Sequence, residues 1–340
     1  MKKVIHLGPI DSRGGMAAVI KNMISNMPEG YDSQVISTHT DDSIGRKIKI
    51  WREASKTLKN KIKNKEVDIV HIHATHSMSW WRKSYLMKIC KNNSIPVVIQ
   101  IHSGRFQDFC SSFFGITGML VRKILSSNCK VVILEKRWKK ILEKWIPVDT
   151  TIIPNSSKRK IIRENKVGEE IVILMLSRKS KGKGHNFAID ILRSLKTKGV
   201  SAKLIITGMK ENEIDSDIKE NVHAVGWVTE NEKESLMTRS DFLIVPSDFE
   251  GSSMSVIEAL VNSLPCLVSP ASSETVEIHD LIIPLDDVEE WSDRIVKLSK
   301  PDKYAKIIGL IEVQSEKYSM ESNKKNIKSL YDEMLLIKQQ

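Results

Sequence analysis

Two carboxylates, Glu250 and Glu258, stand eight positions apart between an apolar run, Phe242–Val245, and a second one, Cys266–Val268. The intervening residues, Pro-Ser-Asp-Phe-Glu-Gly-Ser-Ser-Met-Ser-Val-Ile-Glu-Ala-Leu, read as a loop followed by a short helix. Glu250 falls in the loop, Ser253, Met254 and Ser255 open the helix, and Glu258 lies about two turns along it. At the carboxyl end of a parallel strand such a loop faces the crevice where α/β proteins bind ligands. Carboxylates accept from sugar hydroxyls, and unpaired N–H groups at a helix start meet a diphosphate. The same residue types also make ordinary surface turns and solvated helices, so the window needs support from elsewhere in the chain.

That support comes from a second loop of opposite charge. The apolar run Ile171–Leu176 leads into Ser-Arg-Lys-Ser-Lys-Gly-Lys-Gly-His, residues 177–185, and then into a helical pattern. Arg178 offers a planar fork of donors and Lys183 a point charge, the two means by which proteins neutralise phosphate. Near the start of the chain, Gly8–Met16 joins a strand to a helix through the pair Gly14 and Gly15. Glycines there let backbone approach a ligand closely, although the spacing is not the G-x-G-x-x-G of nicotinamide sites. A tight structural turn explains the same pair. His71 and His73 close one strand and His102 another; with no converging thiol or carboxylate at ligand spacing, a zinc site is not expected. His102 is read as a positioning donor, and the other two as core or hydrogen-bonding residues.

The elements that must carry these residues alternate along the chain. Strand-like runs at Val4–Leu7, Gln34–Ser37, Asp68–Ile72, Pro96–Ile101, Lys130–Leu134 and Thr151–Ile153 are separated by helical patterns. After the polar stretch Asn155–Gly168 a second series begins: Ile171–Leu176, Ala202–Thr207, Val222–Ala224, Asp241–Val245, Pro265–Val268 and Leu281–Pro284. Alternation of this kind predicts βαβ units and parallel sheets. A chain of 340 residues exceeds one ordinary core. The expectation is two doubly wound Rossmann-like domains facing a central cleft, 1–160 and 167–317, with a last helix at about 318–340 packing back on the first.

Charge is uneven. Residues 1–166 hold 31 Lys+Arg against 13 Asp+Glu, whereas 167–340 hold 22 against 29. The first half should therefore seek an anionic partner. Arg46–Lys65 reads as a Lys-studded helix around Trp51, and Trp80-Trp81-Arg82-Lys83 and Lys136–Lys140 with Lys144-Trp145 mix tryptophan with cations. Tryptophan at a membrane interface and lysine near anionic lipid favour peripheral attachment to an acidic bilayer; a solvated Lys-rich face is the alternative. No helix-turn-helix, zinc-finger or RNA-binding signature accompanies the charge, so nucleic acid is not expected as a partner. No apolar run reaches the ~18 residues of a membrane span, and nothing resembles a signal peptide, which together predict a soluble, cytoplasmic protein. Cys90, Cys110, Cys129 and Cys266 lie in or near apolar stretches and are read as buried thiols.

Over nearly its whole length the chain resembles the retaining glycosyltransferase family 4 enzymes of GT-B fold. The match rests on Arg178 with Lys183-Gly184, Gly226-Trp227, Ser240-Asp241, Pro246-Ser247 leading to Glu250-Gly251 and Glu258-Ala259, and Pro265. Gly14-Gly15, His102 before Ser103-Gly104, and Pro154-Asn155 also fit. The resemblance implies a nucleotide-sugar donor, a UDP-sugar in preference, and no separate cofactor or metal. It implies that Arg178 and Lys183 hold the diphosphate, Glu258 the ribose hydroxyls, and Glu250 the donor sugar, with Ser253, Met254 and Ser255 beside them. His102 would reach the transferred sugar, and Gly14-Gly15 would lie near diphosphate and acceptor. The reaction implied is same-face substitution assisted by the leaving group. Ser263, Ser253 and Ser156 stand where relatives usually carry glycine, and Glu135 where many carry a small hydroxyl residue. The expected function is therefore transfer of a hexosyl or N-acetylhexosaminyl group to a lipid-linked or cell-surface glycan. A sugar-nucleotide 2-epimerase of the same fold, or a non-catalytic sugar-nucleotide binder, are the alternatives.

Overall fold

The computed structural model describes residues 1–12, 14–125, 129–147, 150–161 and 167–337. They form two compact units, Met1–Ser156 with the helix that closes the chain, and Ser157–Ser319. In the first unit the elements run β1 (Lys2–Gly8), α1 (Gly15–Ser25), β2 (Tyr31–Ser37), α2 (Ile44–Lys63), β3 (Ile69–Ala74) and α3 (Met78–Lys91). They continue with β4 (Val97–Ile101), α4 (Phe106–Ser111), α5 (Ile116–Leu125), β5 (Cys129–Ile133), α6 (Lys136–Leu142) and β6 (Thr150–Ile152). The second unit holds β7 (Ile171–Met175), α7 (His185–Thr197), β8 (Ala202–Thr207), β9 (Val222–Gly226), α8 (Glu230–Thr238) and β10 (Phe242–Val245). It ends with α9 (Met254–Val261), β11 (Cys266–Val268), α10 (Ser273–Val276), α11 (Val288–Leu298) and α12 (Pro301–Ser315), after which α13 (Met320–Ile337) rejoins the first unit.

The first sheet has the order β2-β1-β3-β4-β5-β6 and the second β11-β10-β7-β8-β9, with every pairing parallel. Inner parallel strands are buried on both faces, which is why β4, β7 and β10 are rich in Val, Ile and Leu. Alternation along β1 and β3 sends Ile5, Leu7, Val70 and Ile72 into one core with Leu58 of α2, Trp80 and Leu86 of α3, and Val121 of α5. His6, His71 and His73 point to the other face, where His71 Nδ1 meets the Tyr331 hydroxyl of α13 at 2.8 Å. Two more bonds hold that helix: Tyr31 donates to Asp332 at 2.6 Å, and Asn323 Nδ2 to the carbonyl of Pro154 at 3.0 Å.

Two sequence expectations are corrected. The run Leu281–Pro284 makes only an isolated bridge, Val268 to Ile282, instead of a strand. Pro284 has no N–H with which to extend a ladder. The tryptophans, expected at an interface, turn inward. Trp80 is fully buried, edge-on to Phe106, and Trp145 is buried against α5. Gly118 makes room for it, since a Cβ there would lie 2.1 Å from the Trp145 ring. Trp81 and Trp138 pack partly buried against the same core, and Trp51 donates to the carbonyl of Arg82 at 3.3 Å.

His6, His71 and His73 are wholly buried, and burial pulls each below its ordinary value, His6 to about 4. The folded state therefore refuses protons that the unfolded chain accepts below pH ~6.5, and stability is lost as pH falls through that value. We expect a slope of roughly 1.4 kcal/mol per pH unit for each of the three between pH 6 and 5. Denaturant titrations at pH 7, 6 and 5 measure it, and His71→Phe should flatten the profile.

Candidate functional site

In the second sheet the chain passes from β7 outward to β8 and β9, then returns to lay β10 and β11 on the other side of β7. The loops leaving β7 and β10 therefore diverge, opening a crevice at the carboxyl ends of adjacent strands. Both charged loops lie there. They are clamped together: the Asp248 N–H donates to the carbonyl of Gly182 at 2.9 Å. Gly182 and Gly184 adopt φ of +79° and +76°, and a Cβ on Gly184 would stand 2.1 Å from the carbonyl oxygen of Pro246. Only glycine satisfies both the left-handed backbone and that approach.

Between the two glycines, Lys183 reaches across to Glu250 with Nζ 2.6 Å from Oε1, over the ring of Phe249. Both side chains are largely buried, so the pair is shielded from the screening that weakens surface ion pairs. Arg178 lies exposed at the start of the same loop. That start is fixed by Thr207 of β8, whose hydroxyl accepts from the Ser177 N–H at 2.8 Å and donates to the carbonyl of Met175. His185 Nε2 at 3.1 Å from the Thr207 carbonyl ties the beginning of α7 to the same point.

α9 begins at Ser253, whose hydroxyl meets that of Ser255 at 3.0 Å and makes no capping bond to the helix. The first-turn N–H groups thus carry no side-chain cap and are suited to an anion. Met254 is buried in the core, leaving its backbone as the part that can meet a ligand. Glu258 is buried in the midst of apolar neighbours and takes a bond from Lys233 Nζ to Oε1 at 2.7 Å. Burial pushes its carboxyl up, against the pull of Lys233. Lys233 itself resists burial because Glu258 and Glu230, each 2.7 Å away, hold its proton. Sequence reasoning missed Lys233. The capping box of Thr229 and Glu232 marks the helix that carries it, but nothing local to it announces Glu258 as partner.

The departures from the family pattern find physical places. Ser263 has φ of +55°, the left-handed region in which glycine is the usual residue, and Arg159 NH2 donates to its hydroxyl at 3.2 Å. Ser156 is buried with its carbonyl accepting from Asn22. Glu135 is buried at the start of α6, 2.8 Å from Arg137.

The first unit places Gly14, with φ of 135°, just before α1 and Gly15 as its first residue; Arg13 lies outside the described residues. His102 follows β4, and its Nε2 is 3.0 Å from His73 Nδ1, while His73 Nε2 is 3.0 Å from Nδ1 of His6. Among the described residues His6 Nε2 has no hydrogen-bond partner. A buried bare lone pair is tolerated better than a buried orphan N–H, so the chain runs His6 Nδ1–H to His73, and His73 Nδ1–H to His102. His102 is left neutral, with its own N–H on Nδ1. Burial, then the charge of Lys83, draws it to about 3. Among the described residues His6, His71 and His73 also bring ring nitrogens within 4.8 Å of one another. Their rings stack nearly parallel, 25° or less apart, so their in-plane lone pairs do not converge on a point ~2.0–2.1 Å from each, as zinc demands. The cluster is a hydrogen-bonded chain.

Comparison with known proteins bears on the family and the fold. Residues 170–300 match the family described as glycosyl transferases group 1. A Klebsiella pneumoniae relative, an uncharacterized 41.2 kDa protein in the cps region, is 22% identical over 303 residues, covering 82% of this chain and 83% of its own. The Escherichia coli UDP-Gal:alpha-D-GlcNAc-diphosphoundecaprenol alpha-1,3-galactosyltransferase is 25% identical over 100 residues, 28% of this chain and 25% of its own. Among solved structures, HepE from Anabaena in complex with UDP-glucose superposes with a TM-score of 0.75 at 13% identity, covering 98% of this chain and 100% of HepE.

Gly184→Ala adds the Pro246 clash to the cost of a left-handed alanine, whereas Gly199→Ala, at φ of +74° with nothing within 4 Å, adds the backbone cost alone. We expect Gly199→Ala to cost about 1 kcal/mol, and Gly184→Ala to cost more than that by chemical denaturation.

Proposed function

Because the chain belongs to the glycosyl transferases group 1, with the GT-B fold, we propose that it moves a sugar, with retention, from a nucleotide-sugar donor to a lipid-linked or cell-surface glycan. The observation that carries this reading is the clamp that holds Lys183 on Glu250 at the crevice between β7 and β10. A UDP-sugar is the preferred donor, in keeping with the UDP-glucose bound by HepE and the UDP-Gal in the name of the E. coli relative. The same name contains a diphosphoundecaprenol acceptor, and the Klebsiella relative lies in a cps region, which favours a lipid-linked glycan as the acceptor class.

In this mechanism Lys183, Arg178 and the first-turn amides of α9, at Ser253, Met254 and Ser255, neutralise the departing diphosphate. Stabilising charge that develops there is the main catalytic contribution. Glu250 holds Lys183 in place before the donor arrives and accepts from a hydroxyl of the donor sugar afterwards. Glu258 accepts the ribose hydroxyls, and Lys233 favours its ionised form against the opposing effect of burial. His102, with its proton on Nδ1, donates to an oxygen of the transferred sugar, and Gly14-Gly15 allow close backbone approach to diphosphate and acceptor. The bond from the anomeric carbon to the phosphate oxygen breaks, the acceptor oxygen bonds to that carbon on the same face, and its proton passes to the leaving phosphate.

The acceptor class also gives a role to the first unit's surface. No helix among the described residues is long and apolar enough to cross a membrane. Between α4 and α5, however, Phe113 and Phe114 stand exposed on left-handed backbone, followed by exposed Ile116, Met119 and Leu120. The segment that follows basic α6 adjoins α5, since Arg122 of α5 donates to the carbonyl of Lys144 at 3.1 Å. We assign this face to peripheral attachment on an anionic bilayer at the cytoplasmic side, with the phenylalanines in the role expected of tryptophan.

Mass spectrometry against a panel of nucleotide sugars and a lipid-linked acceptor tests the transfer. Interconversion of donors without transfer indicates an epimerase, and affinity without turnover a binding protein. By calorimetry, Lys183→Ala and Glu258→Ala should each weaken UDP binding about tenfold or more, ~1.4 kcal/mol. Unchanged affinity in both removes their assigned roles. For the membrane face, Phe113→Ser with Phe114→Ser should reduce sedimentation with anionic vesicles, and wild-type sedimentation should fall with salt. Equal sedimentation with neutral vesicles counts against it.

A further inference from the structure

Lys83 is a charged residue that the donor chemistry leaves unused. It lies on the inward face of α3 with 3% of its surface exposed, and among the described residues its Nζ hydrogen-bonds only to the Ser79 hydroxyl, at 3.3 Å. No carboxylate pairs with it among the described residues. Arg82 beside it has none either; its NH2 meets His39 Nδ1 at 3.4 Å. Since His39 Nδ1 accepts there, its proton sits on Nε2, a further donor. In the loop after β2, Asp42 pairs with Arg46 at 3.2 Å, and the charge of Asp41 acts on His39 against that of the surrounding cations.

The placement is as telling as the missing counter-ion. The first sheet reverses direction between β1 and β3, because the chain goes from β1 to β2 on one side and then to β3 on the other. His39 follows β2, α3 follows β3, and His102 follows β4, so these groups gather at the carboxyl ends of the strands around the reversal. Burial lowers both His39 and His102, and the charge of Lys83 adds to the lowering of each, so its ammonium lies within electrostatic reach of both. Burial, with Arg82 adjacent, draws Lys83 itself down to about 7. A buried ammonium near its own titration point, with neutral or cationic neighbours, gains its charge fully when an anion arrives.

We propose that Lys83, Arg82 and His39 form an anion site that takes the phosphate or diphosphate carried by the acceptor. The assignment to an acceptor rests on the glycosyltransferase reading above; the anion site itself does not. Phosphate suits it better than carboxylate, because a lysine point charge, an arginine fork and an imidazole N–H can bond several oxygens of one group.

The test uses the whole chain and Lys83→Met, which keeps the volume and removes the charge, with Arg82→Gln as a second variant. Calorimetry with inorganic pyrophosphate should show a site in the wild type that weakens at least tenfold in both variants. Transfer is then compared on two acceptors with the same saccharide, one on a polyprenyl diphosphate and one on a phosphate-free alkyl chain. The ratio of kcat/KM for the first over the second should fall tenfold or more in Lys83→Met, while the melting temperature rises because an unpaired buried charge is gone. A lower melting temperature with an unaltered ratio overturns the proposal and makes Lys83 a structural residue. Loss of pyrophosphate binding with an unaltered ratio overturns the acceptor assignment and leaves a site for free phosphate. If the wild type transfers no sugar, the proposed function falls while pyrophosphate binding still decides the anion site.

Discussion

The second unit's chemistry depends on a backbone contact in which no reactive group takes part. The bond from Asp248 N–H to the Gly182 carbonyl, and the approach of Gly184 to Pro246, draw two loops together that their strands send in opposite directions. Lys183 sits between those glycines, so its reach to Glu250 is set by the loop's backbone more than by side-chain packing. The resulting pair is costly to bury and therefore useful. A carboxylate and an ammonium that neutralise each other before a ligand binds avoid two isolated buried charges, each of which would be far more expensive. In the proposed reaction the donor phosphate shares that ammonium with Glu250.

Glu258 and Lys233 repeat that device one helix away, with the balance tipped differently. The Glu258 carboxyl is buried deeply enough that its ionisation is opposed, and Lys233 restores it only in part. A hydroxyl donor would do the rest. The histidines of the first unit show the converse: burial, with the charge of Lys83 acting in the same direction on His73 and His102, holds them neutral, and hydrogen bonds order their protons along the row His6, His73, His102.

Much of this was legible in the sequence because it rests on period and spacing. Parallel strands buried on both faces betray themselves as apolar runs, and glycines flanking Lys183 mark a loop that needs left-handed backbone. What could not be read were partnerships set by topology. Lys233 looks like any lysine in the first turn of a surface helix until β10 brings α9 beside it. Tryptophan next to lysine reads as an interface, yet Gly118 carves the space into which Trp145 folds, and the signal of that space is a glycine far along the chain. Ser263 is instructive in the other direction: its departure from the usual glycine is visible in sequence, but only its positive φ explains why glycine is usual there.

The return of α13 has a consequence for how the protein comes into being. His71 lies on the third strand, while the hydroxyl that completes it belongs to Tyr331, 260 residues later. The second unit is thus spliced into the first, and its strands and helices leave the ribosome before the first unit has its last wall. Until then the histidine-bearing face of the earlier sheet has no cover from that helix, so the order of synthesis and the order of completion are reversed. The nascent chain must keep an unfinished layer from misassociating while an entire neighbouring layer system matures.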